Sequence, residues 1–153
     1  MPTKPKLSLS VQHADPRLAD ILARADLRRW VQAAQFGPSE FTIRFVGEDE
    51  GRALNRDYRG KDYATNVLTF AYAEGDMVSD DAVVQADIVL CVDVLLREAG
   101  ERAIPVQQHA AHLVVHGVLH AQGYDHDDDD EAAEMEGLES EILAGLGMPD
   151  PYQ

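Results

Sequence analysis

The side chains best able to do chemistry gather in HLVVHGVLHAQGYDH, His112 to His126, which holds four of the chain's six histidines. His116 and His120 stand four apart, so on a helix they share a face about one turn apart. Two imidazoles so placed can reach one metal ion. Gly123 ends such a helix and lets the chain reverse. That turn brings His126, six residues after His120, back as a third ligand. Three neutral imidazoles leave a fourth position open, as catalytic zinc sites do. His112 precedes His120 by eight residues, about 12 Å of helix at 1.5 Å per residue. One ion cannot bind both, so His112, with His109, is expected to pack near the site without ligating. Two plainer readings stay open. The histidines can be ordinary members of an amphipathic helix. They can also hold a closed structural zinc, which asks for a fourth ligand, commonly cysteine. The chain's one cysteine, Cys91, lies far away in sequence.

The spacing of His116, His120, Gly123 and His126 coincides with the metzincin peptidase pattern H-E-x-x-H-x-x-G-x-x-H. Gly117 replaces its glutamate, the general base of those peptidases. The metal geometry is kept and the base is missing. That points away from a zinc peptidase and towards another substrate, such as a phosphodiester. There zinc can activate water and polarise a non-bridging oxygen.

Arg52, Arg56 and Arg59 follow an i, i+4, i+7 spacing, one helix face, and Lys61 follows. Guanidinium groups present forked donors suited to phosphate oxygens. The plainer reading is a solvated face with local pairs, Glu48 with Arg52 for example. Asp125 can orient a liganding imidazole or serve as a turn residue. The run Asp127 to Asp130 fits a solvated helix start, and the ligand alternation of a calcium loop is missing from it.

The elements that must position these residues read as follows. Leu7 to Val11 alternates like a strand. Asp15-Pro16 opens a helix with an approximate stripe of Leu18, Ile21, Leu22, Ala25, Trp30 and Val31 up to Phe36. Phe41 to Val46 is a second strand, and Glu48 to Tyr58 a polar, basic helix closed by Gly60. Thr65 to Tyr72 is a third strand, Glu74 to Asp81 an acidic loop. Val83 to Val92 is a fourth strand with weak alternation, expected to be buried on both faces. Asp93 to Ala99 is a helix, and Pro105 begins another that stops at Gly123. Asp130 is expected to cap the last helix, with Met135, Leu138, Ile142 and Leu146 on its inner face. Four strands and about five helices in a chain of 153 residues predict one α+β domain.

The composition agrees with a folded chain: 45% hydrophobic and 27% charged residues exclude wholesale disorder. One cysteine suits a reducing compartment. The start shows lysines without an apolar run, so no signal peptide is expected, and the protein reads as cytoplasmic. The net charge of −15 argues against a polyanion partner when taken whole. However, the acids concentrate from Asp125 onward, where there is no Lys or Arg. The preceding body is close to balanced. Arg59 is therefore expected to face the metal cleft, with Arg52 or Arg56 nearby and the acidic segment elsewhere.

HGVLHAQGYDH, His116 to His126, resembles the signature H-G-x-L-H-x-x-G-Y-D-H of the bacterial YbeY family at every fixed position. LNRDYRGKD, Leu54 to Asp62, resembles that family's L-N-x-x-Y-R-x-K-D segment. TNVLTF, Thr65 to Phe70, resembles its T-[ND]-V-L-S-F, and EMEGLESEIL its acidic last helix. The resemblance runs from about Leu54 to Tyr152. It implies a zincin-like fold with a small mixed sheet, and one zinc on His116, His120 and His126. It implies a functional arginine at Arg59; the basic face read from spacing adds Arg56, Arg52 and Lys61 as candidate substrate contacts. The implied activity is a zinc-dependent, single-strand-preferring endoribonuclease in small-subunit ribosomal RNA maturation and ribosome quality control. A non-catalytic ribosome-assembly factor with structural zinc is the alternative. Thr69, Ala71 and Ala86 depart from the serine, proline and glycine usual in the family.

Overall fold

The computed structural model describes residues 5–72, 83–124 and 128–152. In chain order these form β1 (Leu7–His13), a 3-10 turn (Pro16–Leu18), α1 (Arg24–Ala34), β2 (Ser39–Val46), α2 (Glu48–Arg59) and β3 (Val67–Ala71). β4 (Val84–Cys91), α3 (Val92–Arg102), α4 (Val106–Ala121) and α5 (Asp129–Gly145) follow. The architecture is α+β, as expected, with a mixed four-stranded sheet. The expected acidic loop, residues 74–81, lies outside the described residues. No helix among the described residues is long and apolar enough to cross a membrane.

The sheet order is β1-β2-β4-β3. β1, β2 and β4 are parallel, with Val11 beside Ile43 and Ile43 beside Ile88. β3 runs antiparallel to β4 and forms an edge, with Thr69 opposite Ile88. Phe41, Ile43, Phe45, Ile88 and Leu90 point into the main core with α1 and α4. Val46, Leu68 and Val89 belong to a smaller cluster with Leu54 of α2. The weak alternation of β4 has this cause: its second half, Ile88 to Cys91, is buried throughout.

Two expectations are corrected. The single helix from Pro16 to Phe36 is a 3-10 turn and a separate α1. Leu18 and Leu22 are buried, but the next buried residue is Leu27, followed by Trp30, Val31 and Ala34. The step of five from Leu22 to Leu27 does not fit a helical period of 3.6. The chain resolves it by breaking at Ala23, which is extended at φ −69°, ψ 143° and precedes α1. Ile21 and Ala25, read as part of the stripe, are exposed. The second correction is the cap of α5. It is Asp128, whose carboxylate accepts the Glu131 N–H at 2.7 Å, not Asp130. The buried line along α5 is Met135, Glu139 and Leu143, whereas Leu138, Ile142 and Leu146 are only partly buried.

Candidate active site

α4 is apolar nearly all round and sits among the sheet, α1, α3 and α5. From His109 to Ala121 every residue is buried except His116 and His120. The helix therefore opens at its two candidate ligands, whose ring centroids lie 4.7 Å apart. They line a groove of about 650 Å³ along the edge strand β3. Tyr58 and Arg59, at the end of α2, line it as well.

Three local features hold these groups. Gly60 takes the left-handed conformation (φ 71°) and its N–H bonds to Arg56 O, ending α2 directly after Arg59. The turn after α4 is closed by Gly123 at φ 103°. There the Gly123 N–H bonds to His120 O at 3.0 Å and the Tyr124 N–H to Leu119 O at 3.1 Å. Gln122 ties this turn to α1, accepting the Phe36 N–H at 2.7 Å and donating to Ala34 O at 2.8 Å.

Gly117 is where α4 meets the sheet. A Cβ there would come within 2.8 Å of Ile88 Cγ2, with Thr69 Oγ1 at 3.4 Å. Ile88 is buried and β-branched, so it has little freedom to move aside. The Thr69 hydroxyl donates to Gly117 O at 3.4 Å. The position that carries the peptidase base in the metzincin pattern here faces the sheet, where a side chain would press on Ile88.

The structure brings His116, His120 and Arg59 to one groove. Arg52, Arg56 and Lys61 are not among its lining residues. Arg52 donates to Asp62 at 2.8 and 3.0 Å. That hydrogen bond, ahead of charge attraction, raises the Arg52 pKa and lowers that of Asp62. Arg56 donates to Asp57 at 3.2 Å. No carboxylate appears among the described lining residues of the groove. His126 and Asp125 lie outside the described residues. Among the described residues no third His, Cys, Asp or Glu joins the pair as a metal cluster.

Behind His116 lies a group that sequence reasoning missed. His116 Nδ1 is hydrogen-bonded to Glu139 Oε1. The second oxygen, Oε2, accepts the Tyr152 hydroxyl and lies 3.5 Å from His112 Nε2. His112 Nε2 is also 3.3 Å from the Tyr152 oxygen. Burial pushes the Glu139 carboxyl up, but hydrogen bonds from His112 and His116 outweigh it and hold the pKa at about 2. Burial, then the bond to Glu139, pushes the Tyr152 phenol well above its usual range. The signal for Glu139 was its place in the sequence, four residues from both Met135 and Leu143. On a helix that makes it a core position.

A second network fixes the start of β3. Asn66 Nδ2 donates to Glu98 Oε1 at 3.1 Å, and its Oδ1 accepts the Val67 N–H at 2.7 Å. His109 Nε2 meets the same Glu98 oxygen at 2.9 Å. Burial, despite Glu98, lowers the His109 pKa.

A family model described as Endoribonuclease YbeY matches residues 8–147. The chain belongs to the YbeY family. It is 64% identical over 149 residues to Endoribonuclease YbeY of Herminiimonas arsenicoxydans, covering 96% of each chain. It is 55% identical over 157 aligned positions to Endoribonuclease YbeY of Paraburkholderia phymatum, covering all of both. The solution structure of TM1509 from Thermotoga maritima shares the fold at TM-score 0.54 and 23% identity. That likeness covers 95% of this chain and 99% of that one. Of the departures from the YbeY pattern, Thr69 and Ala71 line the groove, and Ala86 is buried opposite Ala71.

Proposed function

We propose that the protein is a zinc-dependent endoribonuclease that cuts single-stranded RNA, with small-subunit ribosomal RNA as its target in the cytoplasm. The observation that carries this reading is the opening of a buried helix at His116 and His120 onto a groove that Arg59 also lines and that has no described carboxylate. A phosphate backbone entering there meets a cation and no described fixed anion. The relatives named Endoribonuclease YbeY support the same reaction class.

The donor set fits zinc. His116 and His120 present borderline-soft nitrogens from one helix face, and His126 would supply the third. With Nδ1 of His116 on a carboxylate, its Nε2 is the nitrogen turned to an ion. Zinc bound there supplies Lewis acidity, bringing the pKa of water to roughly 7 and polarising a phosphoryl oxygen.

The chain's own groups do the rest. Arg59 donates to the non-bridging oxygens of the scissile phosphate as negative charge builds on them. Tyr58 is 69% exposed and packs edge-on against Phe70, centroids 5.1 Å apart, at the same groove. A splayed base can stack on these rings, and a base held in a duplex cannot reach them. That arrangement supports a preference for single strands.

The test is cleavage of a structured RNA under single-turnover conditions by metal-replete and metal-stripped protein, after metal analysis. Cleavage should vanish on stripping and return with zinc, and His116→Ala should lose both zinc and cleavage. Intact RNA with zinc-loaded wild type would favour the non-catalytic assembly factor. Undiminished cleavage by His116→Ala would remove the metal from the mechanism.

A further inference from the structure

α5 is an acidic helix, and most of its carboxylates face water. Glu139 is the exception: it is fully buried, in line with Met135 and Leu143 where an apolar side chain would pack. Burying a charge is unfavourable unless it is paired and hydrogen-bonded. The position must therefore gain something that Leu would not provide. Its partners indicate what. One oxygen takes Nδ1 of His116 and the other takes the Tyr152 hydroxyl, with His112 alongside.

Tyr152 is itself held. Its backbone N–H donates to Asp150 Oδ1 at 2.9 Å, and the same oxygen accepts the Ser140 hydroxyl at 2.9 Å. Asp150 thus links the C-terminal segment to α5, and the segment presents Tyr152 to the carboxylate. Hydrogen bonds run from Ser140 through Asp150, Tyr152 and Glu139 to His116.

We propose that Glu139, held by Tyr152, is the positioning residue of the metal site. The inference rests on the zinc reading above. A carboxylate on Nδ1 selects the tautomer with its proton on that nitrogen and fixes the ring, so that Nε2 points to the ion. The acidic C-terminal segment then has a local role, bringing one carboxylate to the back of one ligand. The other acids of α5 are exposed.

The experiment compares wild type, Glu139→Gln and Tyr152→Phe. Zinc affinity is measured by competition with a chromophoric chelator, and cobalt-substituted protein is followed by visible absorption. Glu139→Gln should bind zinc about 10–100-fold more weakly, the range for loss of such a partner. The cobalt spectrum should change as His116 is released. Tyr152→Phe keeps the ring and the carboxylate, so it should weaken zinc in the same direction and by less. Wild-type affinity and spectrum in both variants would overturn the proposal and make Glu139 a packing residue. If Glu139→Gln does not fold, Tyr152→Phe decides: weakened zinc supports the proposal and wild-type binding overturns it. A wild-type chain that takes up no zinc overturns the metal reading and this inference with it. A wild-type chain that binds zinc while the variants match it overturns this inference alone.

Discussion

Two helices, α4 and α2, deliver side chains to the same groove. On α4, His116 and His120 emerge from a helix otherwise buried between His109 and Ala121, and His116 is backed by a buried carboxylate. On α2, only Gly51 and Asn55 are buried, and Arg52 and Arg56 are more than half exposed in their ion pairs. Exposed pairs of this kind contribute little, because water screens them and long side chains lose entropy in making them. Packing therefore holds one wall rigid, and solvated charge leaves the other adaptable. That division suits a metal site, which needs fixed ligands, beside a phosphate track, which must follow a flexible strand.

The comparison is tested most severely at Arg59, the one α2 cation that lines the groove. Arg59→Ala should keep its zinc and lose turnover by on the order of 10²–10³, the cost of one preorganised donor to developing charge. Single-turnover cleavage measured beside zinc content checks both halves. Wild-type cleavage would reduce Arg59 to a surface charge and leave α2 without a role in the chemistry.

The α4 side is sharpened at Gly117. Gly117→Ala places a methyl 2.8 Å from Ile88 Cγ2, and overpacking of a filled core costs about 1–3 kcal/mol. At this chain length that lowers Tm by about 2–4 °C per kcal/mol, read by calorimetry on the apo chain. An unchanged Tm would mean that α4 can slide on the sheet, and the rigid wall would not be rigid.

The same contrast explains what could be read from the sequence. The histidine spacing was legible because it lies on a single helix, where i,i+4 fixes geometry without tertiary knowledge. The strands and the α+β class were legible from alternation and burial runs. The missed features are those that depend on packing between distant segments. Spacing from Met135 and Leu143 marks Glu139 as a core position, but its partners His116 and Tyr152 come from other segments, and only the docking of α5 on α4 shows what its carboxylate meets. Local spacing pairs Arg52 with Glu48, four residues away, but its hydrogen-bonded partner is Asp62, beyond the turn at Gly60. The break at Ala23 was foreshadowed by the step of five between Leu22 and Leu27. It needed the buried identity of Leu27, instead of Ala25, to be recognised.

The smallest effect is expected at Arg56. Its guanidinium pairs with its neighbour Asp57, at 3.2 Å in solvent, and it does not line the groove. It can still meet a phosphate upstream or downstream of the scissile one. Such a contact positions the strand without acting on the reacting atoms. Arg56→Ala should therefore leave the single-turnover rate at saturating RNA unchanged and weaken binding. Loss of one phosphate contact lowers the slope of log affinity against log salt by about 0.7 on single-stranded RNA. Affinity measured across a salt series reads that slope directly. An unchanged slope would confine phosphate recognition on this helix to Arg59. A fall in the saturated rate would instead move Arg56 into the chemistry beside Arg59.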